Sequence, residues 1–296
     1  MKRLTTIYSL MLITAFALSA CGANININLF TADEVVSQSY PSGIKRVTVD
    51  VFNGSIDVIT GTDASVKVDV TKRGGGNSQQ DAQSDLKNVE VTMTADGDTL
   101  RVIARRTDKR VDIGNSGAST SIRVPADTTL DLRTSNGKVS MAGPVGDTIV
   151  RTSNGGIDVK AATGQLDLTT SNGQININGG TGQLTLDTSN GGISITSDNV
   201  IVSARTSNGQ ISYTGALANG HHTFRSNNAG IVITLPADTN FNVDANTSNG
   251  KITSDFLVSV SGSASDTELH GSVGQNPAIS IGLDTSNGNI DIRKSR

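Results

Sequence analysis

The chain has 296 residues and a formal net charge of −3 at pH 7, which gives no electrostatic basis for binding nucleic acid. The same charge argues against strong attraction to an anionic lipid surface, so membrane association should depend on a covalent anchor. Glycine occurs 32 times, tryptophan is absent and there are six phenylalanines. This composition predicts a narrow core filled by β-branched and leucine-sized side chains.

The N-terminus has the pattern of a bacterial lipoprotein signal. Lys2 and Arg3 precede a mostly apolar stretch, residues 4–17, that is too short to span a membrane well. Leu-Ser-Ala-Cys follows at residues 18–21. We therefore expect residues 1–20 to be a signal peptide and Cys21 to carry a lipid that anchors the chain outside the cytoplasm. An ordinary signal peptide with an incidental cysteine is the alternative. Gly22 after the cysteine favours the outer membrane if the host is Gram-negative.

Residues 21–121 contain few clear repeats. Residues 21–44 are expected to form a tether and a first edge strand. From residue 45 a β-solenoid pattern begins loosely, with Asn53-Gly54 followed by alternating apolar residues. Residues 74–85 and 116–119 are predicted to be surface loops, and residues 89–93 and 100–103 are predicted strands.

A regular repeat occupies residues 122–213. Thr-Ser-Asn-Gly begins at Thr134 and recurs four more times at intervals of 18 residues. In each unit, a short alternating strand leads into this tetrapeptide, and a second strand leads into a glycine-rich turn. Asn and Gly suit the turn because both tolerate positive φ. Two further copies begin at Thr247 and Thr285, where the spacing is irregular.

The repeats align into columns of identical residues. One apolar column contains Ile157, Ile175, Ile193 and Ile211. Four buried aliphatic side chains per unit stabilise less than the ordering of 18 residues costs, so neighbouring units must supply the rest. We predict an all-β, parallel solenoid with one coil per repeat over residues 45–296, irregular again at residues 214–296. An array of antiparallel hairpins is the competing arrangement, because Asn-Gly also marks hairpins. Residues 258–275 are predicted to be an inserted loop or an irregular coil.

The turn residues are the candidate structural sites, and Asn side chains stacked one strand apart can link into a ladder. They are Asn136, Gly137, Asn154, Gly155, Asn172, Gly173, Asn190, Gly191, Asn208, Gly209, Asn249, Gly250, Asn287 and Gly288.

Two further motifs point to a known family. Val-Pro-Ala-Asp at residues 124–127 and Leu-Pro-Ala-Asp at residues 235–238 each precede a Thr-Ser-Asn-Gly copy, and LDTSNGNIDI closes the pattern at residues 283–292. With these motifs the chain resembles the DUF4097 family of adhesin-like β-strand-repeat proteins, related to toastrack and GIN-type β-helices, over roughly residues 45–296. The resemblance implies a right-handed, single-stranded β-helix on a bacterial envelope. It carries over no catalytic motif, and some relatives are linked to envelope-stress regulation.

Candidate chemical sites are few. No histidine recurs beside the repeated serine, so a nucleophilic serine lacks its base. His221 and His222 should point to opposite faces of a strand or lie in a solvated loop, and His270 stands alone. The basic residues Arg101, Arg105, Arg106, Lys109 and Arg110 are expected at a solvated edge, offset by Asp108 and Asp112. Calcium binding is not expected, because most units lack the second Asp of calcium-binding repeats.

These observations predict a lipid-anchored cell-envelope or surface module that interacts without catalysis and uses no metal or other cofactor. Its expected partners are the membrane, through the lipid, and envelope proteins or glycans. A regulatory partner of a membrane protein is the first alternative. A polysaccharide-processing β-helix enzyme is the second, although such an enzyme needs acids and bases clustered in a groove.

Overall fold

The computed structural model describes residues 30–108 and 116–295. Within these ranges the chain forms two long β-sheets joined at their corners, with parallel pairing through all the regular coils. The predicted parallel solenoid is therefore confirmed, and the array of antiparallel hairpins is excluded for this part of the chain. Cys21 and the signal segment lie outside the described residues. No helix in the described ranges is long and apolar enough to cross a membrane.

Both sheets run the length of the stack. In spatial order from the N-terminal end, the 12-stranded sheet contains β1 (Phe30–Tyr40), β4 (Val66–Gly76), β7 (Gly117–Val124), β3 (Ile56–Thr60), β9 (Val139–Ala142), β11 (Ile157–Ala162), β13 (Ile175–Gly180), β15 (Ile193–Thr196), β17 (Ile211–Thr214), β19 (Ile231–Leu235), β25 (Ile290–Lys294) and β21 (Ile252–Ser254). In the same direction, the 13-stranded sheet contains β5 (Val89–Asp96), β6 (Thr99–Arg106), β2 (Arg46–Val51), β8 (Thr129–Thr134), β10 (Thr148–Thr152), β12 (Gln165–Thr170), β14 (Gly182–Thr188), β16 (Val200–Thr206), β18 (Gly220–Ser226), β24 (Ile279–Thr285), β20 (Phe241–Thr247), β23 (Glu268–Val273) and β22 (Ser259–Ala264).

Each regular coil supplies one strand to each sheet. In the coil formed by β12 and β13, Leu168 and Ile175 point inward from opposite sheets and are fully buried. Ile175 lies opposite Ile157 in the coil before it and Ile193 in the coil after it. The apolar columns read from the sequence therefore form one continuous core between the sheets. Each coil contributes little alone and is stabilised by its two neighbours.

The spatial order of the coils departs from chain order at both ends. The coil of β2 and β3 lies between that of β6 and β7 and that of β8 and β9. At the other end, the final coil of β24 and β25 lies between that of β18 and β19 and that of β20 and β21. The first and last coils in the chain are thus each held between two neighbouring coils. At the N-terminal end the outer neighbour, β6 and β7, comes later in the chain, and at the C-terminal end the outer neighbour, β20 and β21, comes earlier.

The N-terminal end is more ordered than the sequence predicted. Residues 74–85 are not a loop, because β4 continues to Gly76 and an α-helix, α1 (Gln79–Leu86), follows. The Ser78 side chain caps this helix by accepting the backbone N–H of Asp81. Residues 117–119 likewise belong to β7 and not to a loop. The edge strand expected before residue 45 is β1, which pairs antiparallel with β4.

The C-terminal end differs from expectation in the same way. Residues 258–275 contain a hairpin of β22 and β23, and β23 pairs antiparallel with β20. The core here is also wider than the composition suggested, because Tyr213, Phe224 and Phe241 are fully buried. The rings of Tyr213 and Phe224 lie 5.8 Å apart. Leucine-sized side chains therefore fill most of the regular coils, and aromatic rings enter the core from Tyr213 in the last regular coil onward.

His222 is a core residue and does not lie in a solvated loop. It projects inward from β18 with no exposed surface, whereas its neighbour His221 is exposed. Its Nδ1 accepts the backbone N–H of Val202 at 3.3 Å, and its Nε2 donates to the carbonyl of Ala218 at 2.9 Å. Burial lowers the pKa of His222, and the charge of His221 lowers it slightly further, while the bond to Ala218 acts in the opposite direction.

This burial predicts an acid-sensitive stack. An unfolded histidine has a pKa of about 6.5, so the unfolded state takes up the proton first as the pH falls. The free energy of unfolding should therefore decrease below about pH 6.5, by at most about 1.4 kcal/mol per pH unit for one proton. Chemical unfolding at pH 7.5 and 5.5 should show a smaller pH difference in His222→Asn than in wild type. His221→Gln is the matched control and should keep most of the wild-type difference, because the charge of His221 is the smallest of the causes that shift the pKa of His222. An unchanged pH difference in His222→Asn would show that another group carries it.

Candidate binding surface

The threonine of each Thr-Ser-Asn-Gly corner joins successive coils. The Thr170 hydroxyl donates to the Gly155 carbonyl of the previous coil at 2.9 Å and accepts the Gly173 N–H of its own corner at 3.1 Å. The corner threonines are buried, and the same donation to the neighbouring coil occurs at Thr134, Thr152, Thr188, Thr206, Thr247 and Thr285. The repeated threonine is therefore a structural link whose hydroxyl faces away from solvent.

The corner glycine is required by close approach between coils. A Cβ built on Gly173 would lie 1.9 Å from the Gly155 carbonyl oxygen, and the same contact recurs at Gly137, Gly155, Gly191, Gly209, Gly250 and Gly288 within 2.2 Å. Positive φ, which the sequence suggested as the reason for this residue, is wrong for these corners. Positive φ angles among the described residues occur elsewhere, and none belongs to an Asn or Gly of the Thr-Ser-Asn-Gly copies.

The corner asparagines form a ladder along the solenoid. The Nδ2 of Asn172 donates to the Oδ1 of Asn154 at 2.7 Å, and Asn190 donates to Asn172 at 2.6 Å. In spatial order the ladder contains Asn53, Asn136, Asn154, Asn172, Asn190, Asn208, Asn228, Asn287 and Asn249. The Thr-Ser-Asn-Gly motif did not predict Asn228, because the sequence of its corner, residues 226–229, is Ser-Asn-Asn-Ala. These amides bind one another in one direction, so the corner stabilises the stack and is a poor candidate for ligand binding.

The outer faces of the two sheets carry the side chains that remain available. In the middle of the 12-stranded sheet the outward side chains are uncharged amides and hydroxyls, namely Asn176, Asn178, Ser194, Thr196, Ser212 and Thr214. The 13-stranded sheet presents charged columns instead. There Arg133 pairs with Asp131 at 3.0 Å and Arg151 pairs with Asp167 at 3.1 Å. The two faces therefore offer different chemistry on one rigid frame.

Two of the three described residues of the predicted basic cluster are neutralised by carboxylates. Arg105 pairs with Asp50, and Arg106 bridges Asp85 at 2.6 Å and Asp108 at 2.8 Å. Burial acts to raise the pKa of Asp85, but hydrogen bonds from Arg106, Ser116 and the Gly75 N–H outweigh it and lower the pKa. Arg101 is exposed, and Lys109, Arg110 and Asp112 lie outside the described residues. Through Asp85, α1 is joined to Arg106 on β6 and to Ser116, which directly precedes β7.

A polar cavity of about 250 Å³ opens beside this cluster, at the N-terminal end of the asparagine ladder. Its lining includes Thr71, Ser119 and Arg73, whose guanidinium pairs with Asp33 at 2.8 Å. The cavity therefore presents hydroxyls and an already paired cation, without a titratable group suited to catalysis.

The remaining histidines form no reactive site. His270 contacts Glu268 at 2.8 Å and Asp244 at 3.1 Å near the C-terminal hairpin. Across residues 30–108 and 116–295, no three His, Cys, Asp or Glu side chains are grouped to hold a metal ion. His221 lies 3.4 Å from the Ser280 hydroxyl on an open sheet face, but no carboxylate in the described chain orients its ring, as a nucleophilic serine would require.

Comparison with known proteins identifies the family. The toastrack DUF4097 family matches residues 44–293. No protein with a curated description matches the chain. Solved structures with similarity include proposed adhesins from Bacteroides fragilis (11% identity, TM-score 0.38) and Parabacteroides distasonis (12% identity, TM-score 0.40). A proposed lipid-binding protein from Parabacteroides distasonis has 13% identity and a TM-score of 0.38. Each alignment covers 88% of this chain and 97% of the other.

The close approach at the corner makes a direct stability prediction. Gly173→Ala places a methyl group against a backbone carbonyl that belongs to the regular stack, and overpacking of this kind costs about 1–3 kcal/mol. Gly282→Ala is the matched control, because its added Cβ would meet nothing nearer than 3.7 Å. Thermal melts followed by circular dichroism should show a lower midpoint for Gly173→Ala and an unchanged or slightly higher one for Gly282→Ala. Beyond the regular coils, Ala229 occupies the equivalent corner position, so an irregular coil accepts a methyl group there. Equal midpoints for the two variants would mean that the regular coils also shift to accept one.

Proposed function

Because the chain belongs to the DUF4097 toastrack family, we propose that it is a lipid-anchored module outside the cytoplasm that binds envelope proteins or glycans without catalysis. The observation that carries this proposal is the rigid frame. Ladders of threonine and asparagine fix each coil to the next, so the outward side chains are held at positions set by the strand spacing. A ligand that spans several coils would bind a surface that is already ordered, which reduces the entropic cost of association.

The chemistry of the outer faces supports binding over catalysis. Hydroxyl and amide groups on the 12-stranded sheet can exchange hydrogen bonds with sugar hydroxyls or with a protein backbone. Many charged groups of the described residues are paired with one another, as Arg133 is with Asp131. Pairing favours the charged form of both partners, whereas general acid–base catalysis needs a group that exchanges its proton near neutral pH.

The anchor part of the proposal depends on Cys21, which the Leu-Ser-Ala-Cys motif marks for acylation. Radiolabelled palmitate should enter the wild-type chain and should be absent from Cys21→Ser, which should also leave the detergent-soluble membrane fraction. Ser19→Ala is the matched control, because it keeps a small residue before the cysteine and should retain the label. Palmitate incorporation into Cys21→Ser would show that the lipid is attached elsewhere.

The binding part is tested on intact envelopes. Proximity labelling around the anchored chain, together with a glycan array probed with the full-length protein, should yield an envelope protein or a glycan that is recovered chemically unchanged. Recovery of a cleaved glycan would contradict the non-catalytic function. Capture of a sensor kinase or an anti-sigma factor, with no glycan bound, would favour the regulatory alternative.

A further inference from the structure

Two arginines stand side by side on the outer face of the 13-stranded sheet, each with a carboxylate on the neighbouring strand but with no ion pair to it among the described residues. Arg205 on β16 lies directly opposite Arg225 on the parallel neighbour β18, so their Cα atoms are about one strand spacing, ~4.8 Å, apart. Both are exposed. In the part of the chain that the structure describes, neither guanidinium makes a hydrogen bond or an ion pair. Like charges placed opposite one another destabilise a sheet, and a bound anion would relieve that cost.

The same column contains a second arginine pair that serves as an internal comparison. Arg133 and Arg151 are also opposite one another on β8 and β10. Each of these is neutralised, Arg133 by Asp131 two residues earlier and Arg151 by Asp167. The position equivalent to Asp131 is Ser203, two residues before Arg205, and the position equivalent to Asp167 is Gly282, on the strand that follows Arg225. The second pair therefore lacks both acids that neutralise the first pair.

The surroundings of this second pair fit a hydroxylated ligand. Asp187 lies opposite Arg205 on one side, and Asp284 lies opposite Arg225 on the other. Each carboxylate can accept hydrogen bonds from sugar hydroxyls, while the Thr223 hydroxyl contacts that of Ser203 at 3.3 Å and continues the polar surface. Gly282 leaves a shallow gap beside Thr223, because it has no side chain on this face.

We propose that Arg205 and Arg225 form a binding site for an acidic saccharide, with its carboxylate between the two guanidiniums. Arginine suits this role because its planar group donates paired hydrogen bonds to carboxylates. The sugar hydroxyls would contact Asp187, Asp284, Ser203 and Thr223. This inference rests on the proposed binding function and names its ligand class.

The row of charges limits how many anionic groups the site can hold. Across four neighbouring strands it reads Asp187, Arg205, Arg225 and Asp284, so the two central cations are flanked by anions. One carboxylate fits between the arginines, whereas Asp187 and Asp284 would repel further anions beside it. A saccharide that carries a single carboxylate among hydroxyls therefore matches both the cations and the acids.

The test measures binding of sialyllactose, which has a single carboxylate, to the full-length protein by isothermal titration calorimetry. Arg205→Gln/Arg225→Gln should weaken binding by at least about tenfold, because it removes charge-assisted hydrogen bonds. Arg133→Gln/Arg151→Gln is the matched control and should bind like wild type. The methyl ester of sialyllactose, which keeps the sugars and loses the charge, should bind poorly. Circular dichroism melts establish that both double variants are folded.

Several results would overturn the inference. Wild-type affinity in Arg205→Gln/Arg225→Gln would do so, as would equal binding of the methyl ester. If sodium sulfate competed as effectively as the saccharide, the site would bind anions without selecting a sugar. Failure of the wild type to bind sialyllactose would exclude the ligand class. If Arg205→Gln/Arg225→Gln still captures its partner on intact envelopes, the binding function stands and only this site is wrong.

Discussion

The structure depends on how closely one coil lies upon the next at the corner. The carbonyl oxygen of Gly155 occupies the space that a Cβ on Gly173 would need, and the Thr170 hydroxyl donates to that same oxygen. The Gly155 oxygen therefore has two effects on the next coil. It leaves no room for a side chain at position 173, and it accepts a hydrogen bond from Thr170. Because the contact recurs at successive corners, it fixes the register of both sheets, and the apolar columns align inside them.

The same regularity creates a problem at the ends, where unpaired strand edges invite association. The fold addresses it by leaving the parallel pattern. At one end β1 and β4 pair antiparallel and α1 packs beside them, and at the other end the hairpin of β22 and β23 covers β20. The coils that come first and last in the chain lie inside these caps. Their corner residues Asn53 and Asn287 therefore hydrogen-bond to the asparagines of neighbouring coils and belong to the same ladder. Solenoids generally require terminal units of different character for this reason.

The sequence predicted the features that the period determines. The 18-residue interval fixed the columns, and the ladder of Asn154, Asn172 and Asn190 follows directly from stacking. It could not predict the order of the end coils, because the corner at Asn287 can stack on Asn228 or on Asn249 with the same hydrogen bond, and in the structure it does both. The buried His222 was missed for a different reason. Its burial depends on Val202 and Ala218 in the adjoining coil and the preceding turn, and pairings of that kind lie outside the local pattern.

The residues that stabilise the stack and the residues proposed to bind a ligand occupy different parts of the repeat, and this separation explains where the sequence varies. Inward columns and corners repeat because each unit must match its neighbours, as Ile157, Ile175 and Ile193 do. Outward positions contribute little to the stack, so they change from coil to coil without cost to the fold. Along a single outward column, Arg151 gives way to Thr169, then to Asp187 and then to Arg205. Where a repeat protein departs from its own period on an exposed face, the departure is unconstrained by packing, and specificity for a ligand can arise there.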